Sequence, residues 1–157
     1  EMQRSLVGSE MCIRDRYIIE DMELIHSVDS IKLASEIDRH AARVNKVQDI
    51  LIEVNVGGEE SKSGIAPDQL EELLWQAGQL SHVHVRGLMT IPPVEGDEKF
   101  LYKMQQLYLD ISSKKMDNID MEILSMGMSG DFATAIRYGS TLVRIGTALF
   151  GARNYQK

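Results

Sequence analysis

Apolar positions along the chain recur in two alternating rhythms. Short runs with little polar interruption read as strands: "ELIHSV" (Glu23 to Val28), "ILIEVNV" (Ile50 to Val56), "VRGLMTI" (Val85 to Ile91), "ILSMGMS" (Ile123 to Ser129) and "LVRIGTALFG" (Leu142 to Gly151). Between them, apolar residues return every three or four positions. Leu33, Ala34, Ile37, Ala41 and Val44 share one face after Ser30, which is placed as an N-cap. Leu70, Leu73, Leu74 and Ala77 do so after Pro67, and Leu101, Met104, Leu107, Tyr108 and Ile111 after the Pro92-Pro93 break. Strands rich in Val, Ile and Leu on both faces, separated by one-sided helices, predict a parallel sheet covered by helices, an α/β fold of βαβ units. Five strands in 157 residues fall short of a closed (β/α)8 barrel, which has eight strands and typically ~250 residues. Length by itself therefore favours an open doubly wound sheet.

The first sixteen residues, "EMQRSLVGSEMCIRDR", sustain neither rhythm and read as a foreign arm ahead of a domain running from 17 to 157. A hydrophobic fraction of 43% and a charged fraction of 26% fit one globular domain with a real core. A net charge of -7 without a basic stretch excludes a nucleic-acid or anionic-membrane surface, so any anion site must be local. The single cysteine, Cys12, offers no internal disulfide and no thiolate metal site. With no apolar run near the ~20 residues of a membrane span, the chain reads as cytoplasmic.

Ligands of parallel α/β folds sit at the carboxyl ends of the strands. Those ends offer His26, Ser27 and Asp29; Asn55; Thr90 with Pro92 and Pro93; Gly127 and Ser129; and Arg144, Gly146 and Thr147. Ser129 precedes a short helix-like turn, where its hydroxyl and the following amides can face a phosphate. Gly146 allows close backbone approach, and Thr147 adds a hydroxyl and an amide. Taken alone, Ser129 reads equally as a helix cap and Gly146 as a packing glycine. Arg144 shifts that balance. Strand alternation sets it on the face of Gly146, and a permanent charge inside an apolar strand needs a partner such as a phosphate or ring nitrogen.

Lys62, in a glycine-flanked acidic loop, reads as a loop-ordering ion pair in preference to an imine-forming amine. His26, His82 and His84 lack neighbouring carboxylates at ligand spacing, and the latter two read as solvent-facing. Met89, Met126 and Met128 read as core fillers and Trp75 as buried on its helix.

The segments "NVGGEESKSGI", "VRGLMTIPP", "LSMGMSGDFATAI" and "GSTLVRIGTALFGAR", with "YIIEDMELIHSVDSIKLASEID" before them, resemble consecutive signatures of the pyridoxal phosphate homeostasis proteins. These are the YggS-type relatives of the alanine racemase N-terminal barrel, and the resemblance runs from Tyr17 to the C-terminus. It implies an incomplete (β/α)8 TIM barrel of fold type III, with about strands four to eight present. It implies pyridoxal 5'-phosphate as cofactor, a carrier or buffer role instead of turnover, and no metal. By position, it implies that Ser129, Gly146 and Thr147 hold the phosphate and that Arg144 meets the pyridine nitrogen. The family's imine-forming lysine, at the end of the first barrel strand, matches no residue here, so the resemblance implies a fragment without a catalytic residue. A sheet cut this way has free edges, and self-association through them is expected. A racemase-like enzyme and a generic phosphate-binding α/β fragment are the competing readings.

Overall fold

A computed structural model of the chain describes residues 19–59, 61–93 and 98–151. The arm read as foreign, 1–16, lies outside the described residues. Five strands form one parallel sheet: β1 Leu24–Val28, β2 Gln48–Glu53, β3 Val83–Met89, β4 Ile119–Met128 and β5 Leu142–Arg144. Helices α1 (Ile31–Arg43), α2 (Leu70–Gly78) and α3 (Glu98–Ser112) connect the first four strands, and the short α4 (Phe132–Arg137) and α5 (Thr147–Phe150) flank β5.

The strand order is β1-β2-β3-β4-β5, the order of the sequence. A doubly wound sheet reverses direction at a switch point; this one never does. Crossovers of one hand laid in sequential order place every helix on the same face, so the sheet curls as a barrel wall curls. The length-based expectation of a doubly wound sheet gives way to an arc of a (β/α)8 barrel. Contact across the concave face shows the curl directly. The hydroxyl of Ser125 on β4 lies 3.5 Å from Nδ1 of His26 on β1, whereas strands three positions apart in a flat sheet would stand about 14 Å apart.

The convex face carries the core. Ala34, Ile37 and Ala41 of α1, Leu70, Leu73, Leu74 and Ala77 of α2, and Leu101, Met104 and Ile111 of α3 pack with Ile50, Ile52, Val83, Val85, Leu88, Leu124 and Met126 of the strands. The helices are where the apolar period predicts them, and the Ser30 hydroxyl accepts from the Leu33 amide at 3.4 Å, as a cap should. Two core expectations are corrected. Trp75 is 62% exposed, because the Leu70–Leu74–Ala77 stripe already fills the sheet-facing side of α2, and Met128 is 38% exposed at the end of β4.

The concave face is polar at the strand starts. Arg86 bridges Asp49 (2.8 Å) and Glu122, and His84 lies between Asp49 (3.2 Å) and Asp120 (2.9 Å). The expectation that His84 faces solvent without carboxylates fails. Alternation along β3 turns it opposite to Val83 and Val85, onto the inner wall where β2 and β4 each present an acid. Gly87 resets this phase. Its φ of +150° accompanies a register irregularity against β4, after which Leu88 faces the core and Met89 the concave side.

Candidate functional site

The strand runs read from the sequence need one further correction, and it falls at the site. The run from Leu142 to Gly151 is not one strand. β5 ends at Arg144, and Gly146, with φ -114° and ψ -70°, opens a single helical turn in which Leu149 and Phe150 donate to its carbonyl at 2.9 Å. Strand alternation therefore does not relate Arg144 to Gly146; a turn does. Ser129 is corrected too. Asp131 occupies the cap position of α4 and accepts from the Met128 amide at 2.7 Å. The Ser129 hydroxyl instead accepts from the Ala148 amide at 3.1 Å, which joins the corner after β4 to the corner after β5.

The structure thus brings the corner that carries Ser129 against the corner that carries Gly146 and Thr147, with Gly146 and Thr147 exposed. Gly146 is not a packing glycine: a Cβ built on it meets nothing within 4 Å, and its negative φ does not demand glycine. Space is kept where a side chain would stand. Gly127, just upstream, is a true packing glycine, with φ +97° and a hypothetical Cβ 2.6 Å from that of Ala135.

Arg144, two residues before Gly146, lies on the inner face. Its Nη1 donates to the Ser125 carbonyl (3.1 Å) and hydroxyl (2.6 Å), and its Nη2 to the Thr90 carbonyl (2.8 Å). One guanidinium therefore ties together the ends of β3, β4 and β5. Burial presses against its charged form, lowering its pKa, while the carboxylates of Glu53 and Asp131 act in the opposite direction. Three hydrogen bonds use three of its five N–H groups. Two donors are left for a guest.

Three further groups stand here: Glu53 and Ser125 were not singled out from the sequence, and His26 was offered at a strand end and then discounted. Glu53, 3% exposed, accepts from the Ser63 hydroxyl at 2.6 Å and offsets the charge of Arg144. Ser125, fully buried, is the hub between Arg144 and His26. His26, passed over for want of carboxylates, has Arg144 as its charged neighbour, and its pKa is lowered by burial first and by that cation second. The sequence signal was present: each is a polar residue set into an otherwise apolar strand.

Lys62 is held as a loop-ordering residue. Its ammonium lies 3.3 Å from the Glu59 carboxylate and 3.2 Å from the Pro92 carbonyl, while Asn55 ties the same loop through the carbonyls of Glu59 (2.8 Å) and Lys62 (3.3 Å). A broad recess of about 740 Å³ opens beside it, lined by Asp29, Glu59, Asp68 and Glu72. Four carboxylates against one ammonium repel an anion, so the recess is no competitor for a phosphate. Among the described residues no cluster of His, Cys, Asp and Glu could hold a metal ion, and no helix is long and apolar enough to cross a membrane.

An arc of parallel strands in chain order, with two small-residue corners and a half-buried arginine at the carboxyl ends, is the architecture of a (β/α)-barrel protein whose site lies on its upper rim. Residues 7–154 match the sequence profile described as alanine racemase, N-terminal domain; the match begins inside the segment read as foreign. The pyridoxal phosphate homeostasis protein of Aquifex aeolicus is 43% identical over 159 residues, covering 99% of this chain and 69% of that protein. PipY of Synechococcus elongatus, solved without pyridoxal phosphate, superposes with a TM-score of 0.81 at 31% identity, covering 92% of this chain and 67% of that one. Solved with pyridoxal phosphate bound, it gives a TM-score of 0.76 at 32% identity, covering 87% of this chain and 64% of that one. This chain belongs to the alanine racemase N-terminal domain family, in its branch of pyridoxal phosphate homeostasis proteins. It spans about two thirds of the length of these relatives, 69% in one case and 66% in the Pasteurella multocida protein of the same name.

Proposed function

We propose that this chain binds pyridoxal 5'-phosphate at the rim corners and serves as a carrier or buffer of that cofactor inside the cell. The observation that carries the reading is the hydrogen bond from the Ala148 amide to the Ser129 hydroxyl, which joins two strand-end corners next to Arg144. In this reading Ser129, Gly146 and Thr147 hold the phosphate through a hydroxyl and backbone amides. Arg144 directs a remaining N–H to the pyridine nitrogen. When bound, the cofactor supplies an electron-withdrawing ring. A permanently protonated guanidinium at its nitrogen disfavours protonation there and weakens that capacity, which suits carriage better than turnover. In this reading no residue of this chain takes the role of the family's imine-forming lysine. Borohydride reduction with stoichiometric cofactor tests this: labelling of one lysine, with Lys62 the first to check, would overturn it.

The open space at Gly146 gives a second test. Gly146→Ala is expected to leave stability within about 0.5 kcal/mol of wild type, because the added methyl meets nothing. Gly146→Val, filling the open space at that corner, is expected to weaken pyridoxal phosphate about tenfold while pyridoxal, lacking the phosphate, is little affected. Equal loss for both ligands would place the phosphate elsewhere.

Among the described residues β1 and β5 are the outer strands of the sheet, and Leu149 and Phe150 beside β5 are 71% and 87% exposed. Self-association through these edges is expected to appear in sedimentation velocity as mass rising with concentration. A monodisperse, cooperatively melting monomer would contradict it.

A further inference from the structure

The contact between Ser125 and His26 carries more than curvature. Ser125 is fully buried, and its oxygen accepts from Arg144 Nη1 at 2.6 Å. A hydroxyl has one hydrogen to give and two lone pairs, so once Arg144 occupies a lone pair the hydrogen needs an acceptor of its own. His26 Nδ1, reaching from β1 across the concave face at 3.5 Å, is the side-chain acceptor in place. We infer that His26 is a positioning residue: by accepting a hydrogen bond from the Ser125 hydroxyl at Nδ1 it turns the oxygen's lone pair onto Arg144 and so fixes the guanidinium at the rim.

The arrangement works only with a neutral imidazole. Protonated, Nδ1 becomes a donor and competes with Arg144 for the same oxygen, and two cations then flank one hydroxyl. The surroundings oppose that state. His26 is withdrawn from water and feels Arg144 from β5, while Glu53 on β2 and Asp131 after β4 act on Arg144. The neighbouring concave residues of β2 and β3, Leu51 and Met89, are apolar and buried.

Two measurements on the whole chain test this, and only the second rests on the proposed cofactor. In the first, the His26 imidazole is followed by proton NMR through a pH titration, its resonance assigned by its loss in His26→Asn. Removing the neighbouring cation in Arg144→Gln, or the hydroxyl donor in Ser125→Ala, is expected to raise the His26 midpoint. A midpoint unmoved in both variants would overturn the inference. In the second, pyridoxal phosphate uptake is followed by absorbance. His26→Phe is expected to weaken it about fivefold. His26→Asn, whose amide oxygen can take the place of Nδ1, is expected to return it to within about twofold of wild type. Equal loss in the two variants, or none in either, would contradict the positioning role. Should the wild-type chain take up no pyridoxal phosphate, the proposed function falls and the imidazole titration alone decides this inference.

Discussion

Replacing Arg144 with methionine is expected to weaken pyridoxal phosphate binding by about 10- to 100-fold, the range of a lost charged hydrogen bond, and to lower stability by about 1–3 kcal/mol. The two effects have separate origins. Affinity falls because the guanidinium donors directed at the ring are gone and methionine offers none. Stability falls because the carbonyls of Thr90 and Ser125 and the buried Ser125 hydroxyl lose their donor. Relief of a desolvated charge works against that loss, since burial lowers the pKa of Arg144. Absorbance titration reads the first and thermal melting the second. An affinity unchanged in a folded variant would remove Arg144 from the site.

The largest effect on the fold is expected from Gly87→Ala. A Cβ at this position would lie 1.9 Å from the Ile123 carbonyl oxygen and 2.8 Å from its carbon, with φ at +150°. The obstruction is backbone in the adjacent strand, so no rotamer change relieves it. Strand β3 would have to leave β4 at the bulge, in the middle of the sheet, where the phase switch sets Leu88 into the core and Met89 onto the concave face. A cost of about 3 kcal/mol or more follows, enough to leave a marginally stable domain largely unfolded. Circular dichroism of the purified variant checks it: native ellipticity with an unshifted melting temperature would show that the strand crossing is looser than described.

The rhythm of apolar residues made most of the fold legible. Helices α1, α2 and α3 follow from their one-sided stripes, and the strands from their apolar runs, because burial against a sheet imposes a period that local sequence must carry. Places where the reading failed share a cause. Trp75 looked like core by residue type, yet Leu70, Leu73, Leu74 and Ala77 already saturate the buried side of α2. The last apolar run looked like one strand, since nothing in "LVRIGTALFG" shows that Gly146 will turn the chain into a helical turn. At the site, Ser129, Arg144, Gly146 and Thr147 were visible as strand-end chemistry and through family resemblance. His26 was offered at a strand end but discounted, and Ser125 and Glu53 were passed over, because what each does depends on partners far along the chain. His26 and Ser125 are 99 residues apart in sequence. Only curling of the sheet makes them neighbours, and periodicity within one strand says nothing of that.

The central claim is that the Ser129 corner and the Arg144 to Ala148 segment grip one phosphorylated cofactor. Nitrogen-15 heteronuclear NMR of the whole chain titrated with pyridoxal phosphate tests it most directly, with amide and guanidinium signals read residue by residue. Saturable shifts are expected at the amides of Ser129, Thr147 and Ala148 and at the Arg144 side chain, moving with a single affinity. Shifts confined to the loop around Lys62, or none at ligand excess, would contradict the account.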